Sequence, residues 1–306
     1  MTKTNNETYH IPVMLQPCID GLNILSDGVY VDVTFGGGGH SREIYKHLTE
    51  KGKLIVFDQD AAAKRNAWKA PNFVFIPSNF SFLKNHLRAN GILQVDGILA
   101  DLGVSSYQFD QSGNRGFSIR FNDPLDMRMN QSQPLSAKQV VNTYSEEQIA
   151  AVLGKYGEIE RPMRIAVEIC KIRSKQAINT TFDLIAAIEK FAPRHKEQKF
   201  YAQVFQAIRI EVNNEMDALE KFLLQAADML KPGGRLVVMS YHSLEDRLVK
   251  NFMKRGNLDG TIEKDFFGNV LKPFDEVNRK PIGPTDEEME RNPRARSAKL
   301  RIAVKR

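Results

Sequence analysis

Four short runs of Val, Ile, Leu and Phe, separated by helix-length segments, constrain this chain more than any other feature of its first hundred or so residues. The runs are Val29 to Phe35, Leu54 to Asp58, Phe73 to Pro77 and Gly97 to Asp101. They are almost continuously apolar, as strands of a parallel sheet covered on both faces must be. Between them lie Ser41 to Glu50, Ala61 to Lys69 and Ser81 to Asn90, each long enough for a helix. This alternation predicts βαβ units and an α/β fold: a right-handed, doubly wound, Rossmann-like sheet.

The rhythm then breaks. Gln111 to Gln133 is rich in Gly, Asn, Asp and Arg and reads as a long loop. Helical spacing follows, with Ile149, Val152, Leu153 and Tyr156 at i, i+3, i+4 and i+7, and Met163 to Arg173, Phe182 to Phe191 and Tyr201 to Glu211 continue it. Residues 111–209 are therefore expected to form an α-helical domain inserted into a discontinuous α/β domain of residues 1–110 and 210–306. The α/β pattern resumes with Leu219, Leu223, Ala226 and Leu230 on one helix face. Lys231-Pro232-Gly233-Gly234 turns that helix into a strand, Arg235 to Ser240. A helix near Leu244 to Met253, a Pro- and acid-rich loop and a last strand, Lys299 to Val304, complete the chain, which has no internal repeat.

Composition narrows the function classes. With 306 residues and 42% hydrophobic side chains the chain can bury a large core. No apolar stretch is long enough to cross a bilayer, and the polar start lacks the apolar segment of a secretory signal, so a soluble cytoplasmic protein is expected. Cys18 and Cys170 lie far apart, and the six histidines form no HExxH pattern, so no metal site is readable. The net charge of +6 is unevenly placed. Arg291 to Arg306 holds seven basic and no acidic residues, and Gly113 to Arg209 holds fifteen basic and ten acidic ones, leaving the remainder net acidic. Such segregation suits a polyanionic partner, although a solvated basic surface has the same composition.

The strongest local signal runs from Val31 to Ser41, a strand leading through Gly36, Gly37, Gly38 and Gly39 into a helix. Glycines there let a ligand approach the backbone, and the helix start offers free N–H groups. Gly36 and Gly38 fit a GxGxxG spacing, but Ser41 replaces the third glycine, and a tight structural turn would use the same residues. Asp58 ends the second strand and can accept from both hydroxyls of a ribose, which favours a nucleoside-bearing cofactor over a bare phosphate. Its alternative role, helix capping, fits Asp60 better. Phe80, after the third strand, can pack on an adenine or in the core. Asp101 ends the fourth strand at the same edge, with ligand binding or a structural ion pair as its two uses.

At these positions the chain resembles the bacterial 16S ribosomal RNA cytosine-N4 methyltransferases of the MraW type. The resemblance spans nearly the whole sequence: His10 with Val13 to Leu15, Gly36 to Ser41, Asp58 with Asp60, Asp101 to Ser106 with Gln108, and Arg115 to Ser118. It continues through Leu125 to Met129, Phe205 to Arg209, His242 to Arg247 and Asn292 to Ser297. Tyr107 and Pro17 depart from the family pattern. The later order of helix, Lys-Pro-Gly-Gly, strand and closing antiparallel hairpin also looks like the methyltransferase variant of the doubly wound sheet. The resemblance implies that Gly38, Gly39, His40, Asp58, Phe80, Asp101 and Gln108 contact S-adenosylmethionine, and that the product is a cytosine methylated on N4 in the decoding region.

Under that reading Asp101 would accept from the target amine or orient the donor, while His242 and Ser243 at the next strand tip would hold base or phosphate. An aromatic clamp would come from Tyr107, Phe109 or Tyr241. A base must be unpaired or flipped to reach such a crevice. Arg115, Arg120 and Arg128, with Phe117 and Phe121 among them, offer cations and stacking faces for RNA within the small ribosomal subunit, unless the two rings anchor the loop. Arg294 and Arg296 in the basic tail would grip its backbone. A nicotinamide oxidoreductase would use the same glycines and Asp58, and a non-catalytic RNA-binding protein the same charge.

Overall fold

The computed structural model describes residues 12–103 and 115–306. Gln108, Tyr107 and Phe109 lie outside the described residues. The chain divides into two compact units, the first within Met1–Gly103 and Asp217–Arg306, the second within Val104–Met216. In chain order the first unit opens with α1 (Leu15–Leu22), β1 (Val29–Asp32), α2 (Gly39–Lys46), β2 (Lys53–Phe57), β3 (Phe73–Ile76), α3 (Leu83–Ala89) and β4 (Val95–Asp101). The described helices of the second unit are α4 (Ala137–Thr143), α5 (Glu146–Gly157), α6 (Pro162–Arg173), α7 (Thr181–Ile188) and α8 (Glu197–Asn213). After them come α9 (Glu215–Met229), β5 (Leu230–Ser240), α10 (Ser243–Arg255), β6 (Phe274–Glu276), α11 (Asp286–Arg291) and β7 (Lys299–Lys305).

The seven strands form one sheet in the order β3-β2-β1-β4-β5-β7-β6. β1 to β5 pair in parallel, and β7 runs antiparallel to both β5 and β6. Strand side chains alternate between two apolar layers. Val31, Ile55, Ile98 and Val238 pack against Leu83 and Leu87 of α3, Phe222 of α9 and Phe252 of α10. Tyr30, Leu54, Leu99 and Val237 face the opposite layer, with Cys18 and Leu22 of α1 and Ile44 of α2. Burial on both faces is why these strands read as unbroken apolar runs. No helix among the described residues is long and apolar enough to cross a membrane.

Three local readings change. Ala61 to Lys69 forms only a 3-10 turn, Ala61–Asn66, started by the Asp60 carboxylate accepting from the Ala62 N–H. The chain leaves it because Trp68 stacks on Phe73 at 3.9 Å between centroids, and Pro71 disfavours helical backbone at Ala70. Lys-Pro-Gly-Gly does not precede β5 but interrupts it: the pairing jumps from Val95↔Leu230 to Gly97↔Arg235, and Lys231 Nζ reaches Asp96 at 2.8 Å. The acid-rich loop contains β6 and α11, which offer little periodicity, Phe274 being the fully buried residue of β6.

The second unit has its own core of Leu153, Ile165, Ile169, Leu184, Val204 and Ile208, from α5, α6, α7 and α8. Capping boxes at Ser136, Ser145 and Thr180 start three of the helices. The unit's last helix, α8, continues past residue 209 to Asn213. That buried amide donates to the Met127 and Arg209 carbonyls and accepts from the Met129 N–H at 2.8 Å, fixing the loop in front of α4. Asn213→Ala is expected to lower the stability of this unit by about 2–3 kcal/mol, since a buried carbonyl and N–H lose this partner. Urea melts of the two proteins would show it as a lower midpoint with unchanged slope.

Candidate functional site

Three adjacent strands deliver carboxylates to the carboxyl edge of the sheet: Asp32 ends β1, Asp58 follows β2 and Asp101 ends β4. The chain winds outward from β1 to β3 and returns to β4 on the other side of β1. This edge is therefore the topological switch point, where open α/β sheets bind ligands.

Asp32 was not singled out in the sequence, yet it organises the edge. Its fully buried carboxylate accepts from the Thr34 N–H at 3.0 Å and the Ser41 hydroxyl at 2.6 Å. The first bond bends the chain out of β1, and the second pins the first turn of α2. Ser41 stands where a third glycine was sought because this carboxylate needs its hydroxyl. The glycine turn lies between them. Gly36 and Gly38 have φ of 50° and 76°, a region that side chains other than glycine rarely adopt. A Cβ on Gly39 would come within 2.2 Å of Pro12.

Asp58 closes the turn from the neighbouring strand. One carboxylate oxygen accepts from the Gly36 N–H at 2.8 Å, and the other from the Asp60 N–H at 2.8 Å. From the far side the Asn66 amide donates to the Gly36 carbonyl at 2.8 Å. Asp101 is held by two side chains. Tyr241 donates its hydroxyl to one oxygen at 2.8 Å, and His40 Nδ1 stands 3.8 Å from the other. His40 Nε2 lies 3.1 Å from the Val13 carbonyl. A carbonyl can only accept, so Nε2 carries the hydrogen.

These carboxylates sit among like charges. Burial pushes the Asp58 and Asp101 carboxyls each up to about 6. Asp60 and Asp32 add repulsion at Asp58, opposed by N–H donors from Asp60 and Gly36. At Asp101, His40 and the Tyr241 hydroxyl oppose burial, while Asp32 and Glu245 add to it. Burial likewise raises Asp32. Such an edge suits a ligand bearing hydroxyl donors and positive charge, and it opposes a pyrophosphate.

Other expected contacts are placed differently. His40 is buried, with its Nδ1 turned toward Asp101. Phe80 is half-buried, its ring packed at 68° against Phe222, so part of it belongs to the core. His242 does not project to hold a base or phosphate. Its ring caps α10, Nδ1 accepting from the Glu245 N–H at 3.4 Å and Nε2 standing 3.2 Å from the Glu245 carboxylate without hydrogen-bonding it. Ser243 is exposed at the first position of α10. Glu245, buried and unnoticed in the sequence, accepts from the Tyr241 N–H at 2.9 Å and so steadies the residue that holds Asp101.

A family model described as the MraW methylase family matches residues 7–306. The chain belongs to the MraW methylase family. It is 56% identical over 299 residues to the ribosomal RNA small subunit methyltransferase H of Bacteroides thetaiotaomicron, covering 98% of each chain. It is 55% identical over 297 residues to the protein of the same name from Cytophaga hutchinsonii, covering 96% of this chain and 99% of the relative. Among solved structures it is similar to an rRNA methylase from Streptococcus thermophilus, with 11% identity, a TM-score of 0.41 and 96% of each chain covered.

In this MraW-family methylase several expected RNA contacts are committed elsewhere. Arg128 grips the Asp126 carboxylate with two bonds of 2.7 and 2.8 Å and donates to the Gln131 and Gln133 carbonyls. It is a loop brace. Phe117 is core, whereas Phe121 is 40% exposed, Arg120 is exposed and Arg115 is half-buried. In the basic tail Arg301 is buried against Asp246 at 2.7 Å and Arg306 pairs with Asp275 at 2.8 Å. Arg296 is exposed; Arg294 is half-buried, and burial lowers its guanidinium.

The raised Asp101 carboxyl has a definite sign for stability. The folded protein binds this proton more tightly than the unfolded one, so the carboxyl favours folding at acid pH, and that gain disappears as pH rises from about 4 through about 6. Asp101→Asn is therefore expected to be more stable than the parent by about 2 kcal/mol at pH 7, with the gap closing near pH 4. Thermal melts across that range would show it; a constant gap would mean that Asp101 is not the titrating group.

Proposed function

We propose that this protein transfers a methyl group from S-adenosylmethionine to the exocyclic N4 amine of a cytosine in the decoding region of 16S ribosomal RNA. The observation that carries the donor half is the acidic strand edge around a left-handed glycine turn. A carboxylate acceptor at Asp58 suits a ribose diol, and the concentration of negative charge suits a cationic donor. It disfavours the pyrophosphate of a nicotinamide dinucleotide, the rival use of the same glycines. The RNA half rests on family membership and on relatives named as small-subunit ribosomal RNA methyltransferases.

S-adenosylmethionine supplies a methyl group already activated on a sulfonium, so the protein's task is alignment and exclusion of water. Gly38 and Gly39 bring the backbone close to the donor, Asp58 accepts from its ribose, and the open part of Phe80 packs on its adenine. Gln108 is a further donor contact carried by the resemblance. Asp101 faces the donor's positive end, held at two points by Tyr241 and His40, so that His40 acts as a positioning residue. The cytosine amine is a poor nucleophile because its lone pair is delocalised into the ring. As the nitrogen–carbon bond forms and the carbon–sulfur bond breaks, the nitrogen gives up one proton. Asp101, with a carboxyl near 6, is ionised at neutral pH and close enough to the working pH to accept it. Exposed Arg120 and Arg296 and the half-buried Arg115 and Arg294 serve the RNA backbone, each within its own unit; Arg128, His242 and Ser243 act through the structure around them.

The direct test incubates the protein with labelled donor and small ribosomal subunits lacking the modification, then maps the product by mass spectrometry. Label on N4 of one cytosine is expected, and label on another atom or none overturns the reading. Asp58→Ala is expected to weaken donor binding about 10- to 100-fold in calorimetry, the worth of hydrogen bonds to a charged group. Raising salt should weaken RNA binding much more than donor binding, because only the former releases counterions from phosphates.

A further inference from the structure

Between α10 and β6 the chain projects an arm whose tip is built in an unexpected way. Gly256, with φ 85°, ends α10, and the returning chain packs so tightly that a Cβ there would meet the Leu271 carbonyl at 2.3 Å. At the base, Leu258 joins the core, the Asn251 amide donates to the Leu258 carbonyl, and Arg255 donates to the Gly260 carbonyl. Further out the two sides pair as a short antiparallel ribbon. The Leu271 N–H donates to the Glu263 carbonyl at 2.9 Å, Lys264 bridges Val270, and the Asp265 N–H donates to the Asn269 carbonyl at 2.9 Å. The Asp265 carboxylate then accepts from the N–H groups of Phe267 and Asn269 and from the Asn269 amide. Gly268, with φ 85°, completes the turn.

This well-bonded turn holds two phenylalanines in water. Phe266 is 97% and Phe267 86% exposed, and their rings touch only edge to face, 5.7 Å apart at 87°. Two phenyl groups left outside a core forgo the stabilisation of apolar burial, so the exposure asks for a partner. The surroundings say which kind. The tip carries Lys264, Asp265, Gly268 and Asn269, and with the exposed Ile262 and Leu271 on the ribbon behind it the apolar surface is two rings and two aliphatic side chains, short of the roughly 800 Å² per side of a stable protein interface. Two rings at right angles, each with open faces, instead match unpaired bases, whose stacking on an aromatic side chain needs one ring face and little else. Asp265 spends its acceptors within the turn, and Lys264 beside it supplies a cation for a phosphate.

We propose that Phe266 and Phe267 form a stacking contact for unpaired bases of the RNA substrate, remote from the methyl-transfer site. The inference rests on RNA being the substrate. The arm leaves the C-terminal end of the 13-residue α10, whose first turn lies at the strand edge, so the base of the arm stands about 20 Å along that helix from the strand tips. A contact so far from the reacting atoms binds ground state and transition state alike. It sets KM for RNA and leaves kcat alone.

The test compares the parent with F266A/F267A and with F267W, using unmodified small subunits and a single-stranded oligoribonucleotide as probes. The double alanine variant is expected to bind the oligonucleotide at least tenfold more weakly and to raise KM for subunits similarly, with kcat and donor affinity unchanged. In F267W the new indole, the only one besides Trp68, should lose fluorescence on adding RNA. If the double variant binds and methylates like the parent, the stacking role is overturned; if in addition the parent's sedimentation rises with concentration and the variant's does not, the tip joins copies of this chain. A parent that neither binds nor methylates RNA would instead sink the reading of the substrate, which separates the two failures.

Discussion

The buried carboxylate of Asp32 is the point on which the donor site depends. A charge in that position is costly unless its acceptors are filled, and it recruits Thr34 and Ser41 to fill them. Those two bonds determine where β1 stops and how α2 begins. They leave the chain to span the gap through Gly36 and Gly38 in conformations that favour glycine. Asp58 and Asn66 then clamp the Gly36 peptide from both sides, its N–H and its carbonyl each engaged. Behind the turn, Phe35 packs against Trp68, Phe73 and Phe75, and Arg42 lies 4.9 Å over the Trp68 ring. Rigid support of this kind keeps a backbone surface ready for a ligand without a further ordering cost on binding.

The same edge gathers carboxylates that the fold would be more stable without. Asp32, Asp58 and Asp101 all have raised carboxyls, with His40 the neighbour that opposes the rise at Asp32 and Asp101. For an ordinary structural ion pair this would be a poor design, because each acid is desolvated and repelled by the others. For a site that receives a cation it is coherent, since the ligand brings the compensating charge. Tyr241 and His40 limit the cost in its absence and fix the direction in which Asp101 points. Glu245 and His242 form the layer behind Tyr241, joining the start of α10 to the tip of β4.

How much of this was legible in the sequence follows from the physics of each residue. The parallel sheet was readable because strands buried on both faces leave continuous apolar runs, and Asp58 and Asp101 because they end such runs. Asp32 was hidden by lying in the middle of the run Val29 to Phe35, where spacing from a glycine motif does not point. The replacement of the third glycine by Ser41 was its only trace. His242 and Glu245 could be read as a helix start from their three-residue spacing, and the structure gives them that work. Trp68 and Arg128 defeated local reading for a common reason: distant partners, Phe73 for one and two carbonyls beyond a turn for the other, decide their conformations.

Counting basic residues overstated the surface open to RNA. Arg128, Arg301 and Arg306 are engaged by Asp126, Asp246 and Asp275, and Lys299 stands 3.5 Å from Asp246, so much of the segregated positive charge is neutralised where it lies. A guanidinium locked in two hydrogen bonds to a carboxylate contributes little free charge to a phosphate and would lose its partner by turning away. Binding that rested on such a surface would be weak and indiscriminate. The proposed contacts are instead few in each unit, Arg120 with Phe121 in one and Arg296 with Phe266 and Phe267 in the other, and cations beside open aromatic faces suit strands whose bases are already unpaired. Because duplex RNA keeps its bases stacked on each other, that combination selects by the substrate's shape before any base is read.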